Sequence, residues 1–117
     1  MVISHAGLAA AMVQAVEQIS GVTGVLIPVS NSDCDPALIE RRLTQAIGEG
    51  PAVLFVDLPS GSCFFAAMRT NRALGQVPVV TGVNLPMLVD FVFHRGVSAE
   101  EAAHRAVTKG GDAIRSR

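Results

Sequence analysis

A histidine and an aspartate each stand directly after a short apolar run of this sequence. His5 follows the residues VIS, and Asp57 follows AVLFV. A carboxylate beside an imidazole accepts the Nδ1 proton, which fixes the tautomer and leaves the Nε2 lone pair free to attack. If both runs are strands of one parallel sheet, the two side chains lie at the same edge of that sheet. The pair therefore predicts a reactive His5 that is oriented by Asp57.

The residues around this pair are suited to an anion. The turn LPSGSC places Gly61 and Ser62 at the predicted start of a helix, where backbone N–H groups and a hydroxyl can bind phosphate oxygens. The helix predicted just after His5 adds partial positive charge, which favours the neutral, nucleophilic ring. These features together predict a histidine that accepts a phosphoryl group. Singly they are less specific, because Asp57 and Ser62 could also serve as helix caps.

The elements that must position these residues are indicated by four apolar runs, each followed by helical spacing: MVI, GVLIPV, AVLFVD and VPVVTGV. This alternation predicts an α/β fold of three layers, α/β/α, with a parallel sheet. The second strand is predicted from about Val22 to Val29. With the flavodoxin-like strand order 2-1-3-4, the first and third strands are neighbours beside the reversal of strand order, where ligands bind. His5 and Asp57 then meet.

Several helix boundaries are also predicted. Asp35 is expected to cap a helix that has Pro36 at its first position and ends at Gly48. Ser98, with Glu101 three residues later, predicts the start of the last helix. The helix within CFFAAMRTNRAL is expected to present its large apolar residues to the core and its arginines to solvent. The inward residues would be Phe64, Phe65, Met68 and Leu74, and the outward ones Arg69 and Arg72.

Composition narrows the class of protein. The 117 residues, half of them hydrophobic, fit one domain over residues 1–117. A formal charge of −1 gives no electrostatic footprint for nucleic acid. Cys34 and Cys63 have neither the number nor the spacing of a disulfide framework or a zinc site, and we predict no metal. With no signal peptide and no apolar run near the roughly 18 residues of a membrane span, we expect a soluble, cytoplasmic protein.

Three segments resemble a known family. VISHAGLA, VLFVDLPSGSCFFAA and TGVNLPML are similar, in order and spacing, to segments of the enzyme IIA component of the mannose family of the phosphoenolpyruvate-dependent sugar phosphotransferase system (PTS). GVNLPML is the most specific of them, because an Asn-x-Pro step after the fourth strand is not a general feature of flavodoxin-like folds. The resemblance covers nearly the whole chain. The sequence departs from the family pattern at Pro59, Ser60 and Cys63.

The resemblance implies a role for each matching residue. His5 corresponds to the phosphorylated histidine, Asp57 to its carboxylate partner and Ser62 to the serine of a glycine-serine loop that includes Gly61. Asn84 and Pro86 either support the phosphate loop or simply start a helix.

The resemblance also implies partners. The phosphocarrier protein HPr would phosphorylate His5 at Nε2, and His5 would pass the group to a IIB component, which phosphorylates a sugar during uptake through the membrane IIC/IID permease. No metal or organic cofactor is implied. A homodimer is implied, in which the segment DAIRSR forms a short antiparallel edge strand exchanged with the partner subunit.

Three alternatives remain at this stage. The first is the phosphotransfer subunit of a dihydroxyacetone kinase system, which shares the fold and the histidine, although GVNLPML favours the mannose type. The second is a hydrolase with Ser62, His5 and Asp57 as a triad, but LPSGSC does not match the G-x-S-x-G nucleophile elbow. The third is a regulatory module that only binds, against which the intact His5 and Asp57 argue.

Overall fold

The computed structural model describes residues 1–117, in which four strands and five helices alternate until the last two helices follow one another. The elements are β1 (Val2–Ser4), α1 (Leu8–Ser20), β2 (Pro28–Ser30), α2 (Pro36–Ile47), β3 (Leu54–Val56), α3 (Gly61–Leu74), β4 (Val79–Thr81), α4 (Leu85–Phe93) and α5 (Ala99–Asp112). None of the five helices combines the length and the apolar character needed to cross a bilayer.

The four strands form one parallel sheet in the order β2-β1-β3-β4, which confirms the predicted order. In the register, Val2 lies opposite Pro28 on one side and Phe55 on the other. The strands are shorter than predicted. β2 begins at Pro28 instead of Val22, because Gly21 and Gly24 take left-handed φ values of 73° and 74° and turn the chain before the sheet.

Alternation along the strands produces two cores. Val2 and Phe55 point to the face covered by α1, α4 and α5, whereas Ile3 and Val56 point to the face covered by α2 and α3. All four side chains are fully buried. The strands are apolar on both faces because helices cover both faces, and the three-layer α/β/α prediction is confirmed.

Local capping determines where several helices begin. The side chain of Asp35 accepts a hydrogen bond from Leu38 N at 2.7 Å, and Pro36 follows it at the first helical position. Ser98 Oγ accepts from Glu101 N at 3.1 Å at the start of α5. Both predicted caps are confirmed, and Gly48 ends α2 as expected.

The predicted inward face of α3 is wrong for three of its four residues. Phe65, Met68 and Leu74 are exposed, Phe65 by 56%, and only Phe64 packs against the core. The buried face instead consists of smaller residues, which are Cys63, Ala66, Ala67 and Thr70. Small side chains on this face allow the helix to lie close against the sheet, and the larger apolar residues are left outside.

The predicted arrangement of the C-terminal segment is not found in the chain. α5 continues through Gly110 and Gly111 to Asp112, and residues 113–117 form no strand, antiparallel or otherwise. Gly110 lies within α5 and is a packing residue, because a Cβ there would lie 2.5 Å from Met87 Cε. Its small size lets α5 approach α4 closely. The segment beyond the helix is exposed, with Ile114 at 76%.

Candidate functional site

His5 and Asp57 follow two neighbouring strands, β1 and β3, and the structure brings them into contact. Asp57 Oδ2 lies 2.8 Å from His5 Nδ1 and also accepts the backbone N–H of His5 at 2.9 Å. The other carboxylate oxygen, Oδ1, accepts from Leu58 N at 2.9 Å. The Asp57 side chain is only 9% exposed, while that of His5 is 43% exposed. A buried, fully bonded carboxylate therefore orients a ring whose other edge is open.

The charge of Asp57 determines the form of the ring. Burial by itself raises the pKa of the Asp57 carboxyl, but the hydrogen bonds from the backbone and ring of His5 and from the Leu58 N–H outweigh burial and keep this pKa below its ordinary value. Because an ionised carboxylate can only accept, Nδ1 of a neutral His5 carries the proton. Nε2 then has a free lone pair.

The open edge of the ring faces the start of α3. Gly61, the first residue of that helix, has a φ of 86°, and a Cβ placed on it would lie 3.8 Å from both Cε1 and Nε2 of His5. The N-cap residue Ser60 makes no side-chain capping bond. The first N–H groups of α3 therefore lack that partner, and the helix begins beside the ring at Gly61. Free N–H groups at a helix N-terminus can bind phosphate oxygens.

Asn31, at the end of β2, connects the elements of this site. Its Nδ2 donates to Ser62 Oγ at 3.1 Å, and its Oδ1 accepts from the backbone N–H of Ala6 at 3.2 Å. The sequence analysis missed Asn31. Its position just after a strand is the same signal that identified His5 and Asp57, but the predicted strand ended at Val29 and put Asn31 within a turn.

The chain turns sharply between His5 and α1. Ala6 has a φ of 51°, a left-handed conformation that costs a non-glycine residue about 1–3 kcal/mol. Ser30 Oγ donates to the carbonyl of Ala6 at 2.7 Å, and Asn31 accepts its N–H. These two bonds from the end of β2 hold the strained turn and thereby the direction of the ring.

Cys63 lies on the buried face of α3, against the same ring. Its Sγ is 3.9 Å from His5 Nδ1, and the residue is fully buried. Burial and the negative charge of Asp57 raise the pKa of the Cys63 thiol, and they outweigh the opposing hydrogen bond with Ser62. The thiol is therefore protonated at neutral pH.

Asn84 and Pro86 are placed at the start of α4. Asn84 Oδ1 accepts from Met87 N at 3.1 Å, and its Nδ2 donates to the carbonyl of Gly110 at 3.1 Å. Pro86 is exposed in the first turn. The hydrogen bonds of Asn84 thus start α4 and join it to α5, and none of them reaches His5. Of the two interpretations, the start of a helix is the one that the structure supports.

The geometry does not form the triad of the hydrolase alternative. Ser62 Oγ accepts from Asn31 and makes no hydrogen bond with His5. Ser62 also lies within the first turn of α3 and not on the strand-to-helix elbow that carries the nucleophile of such hydrolases. No base is positioned to take the serine proton.

Comparison with models of protein families gives a match over most of the chain. Residues 1–108 match the family model EIIA-man, described as the PTS system fructose IIA component. A search among curated protein sequences gave no match.

Several solved structures share the fold. The EIIA component from Streptococcus agalactiae superposes with a TM-score of 0.90 at 16% identity, covering 98% of this chain and 93% of that one. The mannose/sorbose-specific IIA subunit from Enterococcus faecalis gives 0.89 at 21% identity, covering 99% and 91%. The IIA protein associated with the fucose utilization operon of Streptococcus pneumoniae gives 0.78 at 22% identity, covering 98% and 89%.

Proposed function

Since this chain belongs to the EIIA-man family and is a phosphoryl-relay component of a sugar phosphotransferase system, we propose that His5 carries the phosphoryl group on Nε2. The observation that supports this most strongly is the hydrogen bond of 2.8 Å between His5 Nδ1 and Asp57, which leaves Nε2 as the free nitrogen. Nε2 also faces the start of α3, where an anion is stabilised.

The phosphoryl group passes between histidines by direct displacement. The Nε2 lone pair attacks the phosphorus of phosphorylated HPr; a bond forms between Nε2 and phosphorus while the bond from phosphorus to the donor histidine breaks. As the ring of His5 becomes positive, the Asp57 carboxylate stabilises it through the Nδ1 proton. The N–H groups at Gly61 and Ser62 bind the phosphoryl oxygens. A histidine of the IIB component then takes the group by the same displacement.

HPr and IIB are the partners that this relay requires, and the IIC/IID permease is its indirect partner. The matched family and the similar structures are components of phosphotransferase systems, which supports sugar uptake over the dihydroxyacetone kinase alternative. A chain that only bound other proteins would not need the paired His5 and Asp57, so the regulatory module is disfavoured.

Incubation with phosphoenolpyruvate, enzyme I and HPr tests the proposal. Intact-mass spectrometry is expected to show one phosphoryl group per chain, lost in acid and kept in base, and no modification when HPr is omitted. An unmodified chain beside fully phosphorylated HPr would contradict it.

Gly61→Ala is expected to slow phosphoryl transfer by about 10²-fold, the scale of a misplaced reacting group. The added methyl would lie 3.8 Å from Nε2, where the incoming phosphorus must pass. An alanine held at this positive φ would also cost about 1–2 kcal/mol of folding stability. Transfer from phosphorylated HPr is measured by rapid quench, and stability by urea unfolding.

Gly48→Ala is the matched control for backbone strain. Gly48 has a φ of 63°, and a Cβ there would meet no atom within 4 Å. This variant should lose similar stability while keeping the wild-type transfer rate. If it slowed transfer as much as Gly61→Ala, strain alone would account for the effect.

We also propose that the protein is a homodimer in which residues 113–117 of each chain pair, antiparallel, with the sheet edge of the other. β4 is an edge strand, and such edges are usually paired or covered. A groove of about 1330 Å³ runs along it, lined partly by Val79, Val80 and Val107. Exposed Ile114 supplies an apolar side chain for that groove.

A chain ending at Asp112 is expected to be monomeric by light scattering, while the full chain is dimeric. This truncation keeps α5 whole and removes only the exposed segment. Retained circular dichroism shows that the shortened chain is folded. A monomeric full chain, or a truncated chain that dimerises equally well, would overturn the proposal.

A further inference from the structure

Three different metal-ligating side chains meet at the buried side of the His5 ring. They are His5 at the end of β1, Asp57 at the end of β3 and Cys63 in the first turn of α3. Their donor atoms, one nitrogen, one oxygen and one sulfur, all lie within 4.8 Å of one another. Cys63 has no part in the phosphoryl transfer described above. That reaction therefore does not explain why its sulfur lies 3.9 Å from Nδ1.

The separations are close to those of a zinc centre. Tetrahedral bonds of about 2.0–2.3 Å to nitrogen, oxygen and sulfur place such donors roughly 3.2–3.7 Å apart. The two distances from His5 Nδ1 lie on either side of this range, at 2.8 Å to Asp57 and 3.9 Å to Cys63. The donor atoms of Asp57 and Cys63 are at most 4.8 Å apart, so side-chain movements of about 1 Å would bring the three donors onto one ion.

The donor types select among ions. A thiolate, an imidazole and a carboxylate suit zinc, whereas magnesium and calcium prefer oxygen ligands alone. Cys63 is fully buried and Asp57 nearly so, while the His5 side chain is 43% exposed. Water would supply the fourth ligand, as in zinc sites with three protein ligands.

We propose that His5, Asp57 and Cys63 form a zinc site, and that zinc bound there prevents His5 from accepting a phosphoryl group. The inhibition by zinc rests on the proposed function, whereas the zinc site itself does not. The cysteine and the histidine are 58 residues apart in the chain, so no short metal-binding motif reveals the site.

The block follows from the placement of protons. A neutral imidazole has one proton for its two nitrogens, and zinc at Nδ1 moves that proton to Nε2. Nε2 then has no lone pair for phosphorus. Cys63 releases its thiol proton to solvent when the sulfur binds the ion, and no electron is transferred. Conversely, the phosphorylated ring keeps its proton on Nδ1 against Asp57, so phosphorylation and zinc binding exclude each other, as linkage requires.

Cobalt(II) is the probe for binding, because it replaces zinc and absorbs visibly. Wild-type protein titrated with cobalt is expected to show thiolate-to-metal charge-transfer and tetrahedral bands, which added zinc removes. Cys63→Ser should lose the charge-transfer band. Cys34→Ser is the matched control, since Cys34 lies elsewhere, with its Sγ 3.1 Å from the Ser32 carbonyl, and it should keep the band. Magnesium should displace nothing.

Inhibition is measured separately, with purified phosphorylated HPr as donor. At a zinc concentration about 100 times the Kd, roughly one molecule in 100 is free, and the transfer rate should fall by the same factor. Wild type and Cys34→Ser should be inhibited and recover with chelator. Cys63→Ser should transfer at the wild-type rate without zinc and be insensitive to zinc at that concentration.

The possible results test the zinc site and the inhibition of transfer separately. Absence of a charge-transfer band in wild type, or the same band in Cys63→Ser, overturns the site. Cobalt bound through Cys63 with transfer unaffected by zinc overturns the block. A chain that binds cobalt but accepts no phosphoryl group in metal-free buffer refutes the proposed function and leaves the site standing.

Discussion

His5→Ala is expected to abolish phosphoryl acceptance while the protein stays folded. The ring supplies the only nitrogen that is both positioned by a buried carboxylate and open at the start of a helix. Its side chain is 43% exposed, so its removal leaves no large cavity in the core. The reaction with phosphoenolpyruvate, enzyme I and HPr, followed by mass spectrometry, measures the loss directly.

The other two histidines provide matched controls. Both ring nitrogens of His94 are engaged, Nδ1 with Asp90 at 3.2 Å and Nε2 with Arg105 at 3.1 Å. His104 is exposed on α5. His94→Ala and His104→Ala should accept one phosphoryl group at the wild-type rate. If His5→Ala accepted the phosphoryl group and His94→Ala did not, the site assignment would be wrong.

Asp57→Asn is expected to slow transfer by about 10²–10⁴-fold, the range found when groups that stabilise a developing charge or fix a histidine tautomer are neutralised. Both carboxylate oxygens accept hydrogen bonds, two from His5 and one from Leu58. An asparagine has only one oxygen. Its amide must therefore face either the N–H of Leu58 or the N–H groups of His5, and in the second orientation it favours the wrong tautomer of the ring.

The same variant should lose about 1–3 kcal/mol of folding stability, because one buried donor loses its acceptor. Asp90→Asn is the control: its side chain is also 9% exposed and pairs with a histidine, but on α4. It should lose stability with no change in transfer. Wild-type transfer by Asp57→Asn would restrict Asp57 to a structural role.

The stability difference between wild type and Asp57→Asn should depend on pH. The pKa of the Asp57 carboxyl is lower in the folded chain than its ordinary value of 3.8, so the unfolded chain takes up the proton first as the pH falls. The extra folding stability of wild type is therefore complete at pH values above the ordinary pKa of 3.8. It disappears as the pH falls through the lowered pKa of the folded chain. Urea unfolding across this range measures it.

Features that depend on near neighbours in the chain were predictable. The caps at Asp35 and Ser98 need only a side-chain oxygen and an N–H three residues later. The apolar runs predicted a buried parallel sheet, since helices on both faces require both faces of a strand to be apolar. The contact of His5 with Asp57 was predictable too, because parallel strands end at one edge once their order is assumed.

Other features depend on distances between elements, which no local pattern encodes. The buried face of α3 was misjudged because side-chain size indicates which residues prefer burial, whereas the spacing between helix and sheet decides which ones fit. That spacing admits Cys63 and Ala66 and excludes Phe65.

The sequence by itself determined the alternation of strands and helices and the helix starts at Asp35 and Ser98, because these follow from apolar runs and from hydrogen bonds within one turn. It also determined the pairing of His5 with Asp57 once the strand order is assumed, because parallel strands end at the same edge of the sheet. Only the tertiary structure decided that Asn31 ties Ser62 to Ala6, that Cys63 reaches Nδ1 and that Gly110 packs against Met87. Each of these depends on where one backbone lies against another, to within an ångström, and that position is a result of the packing of the whole chain.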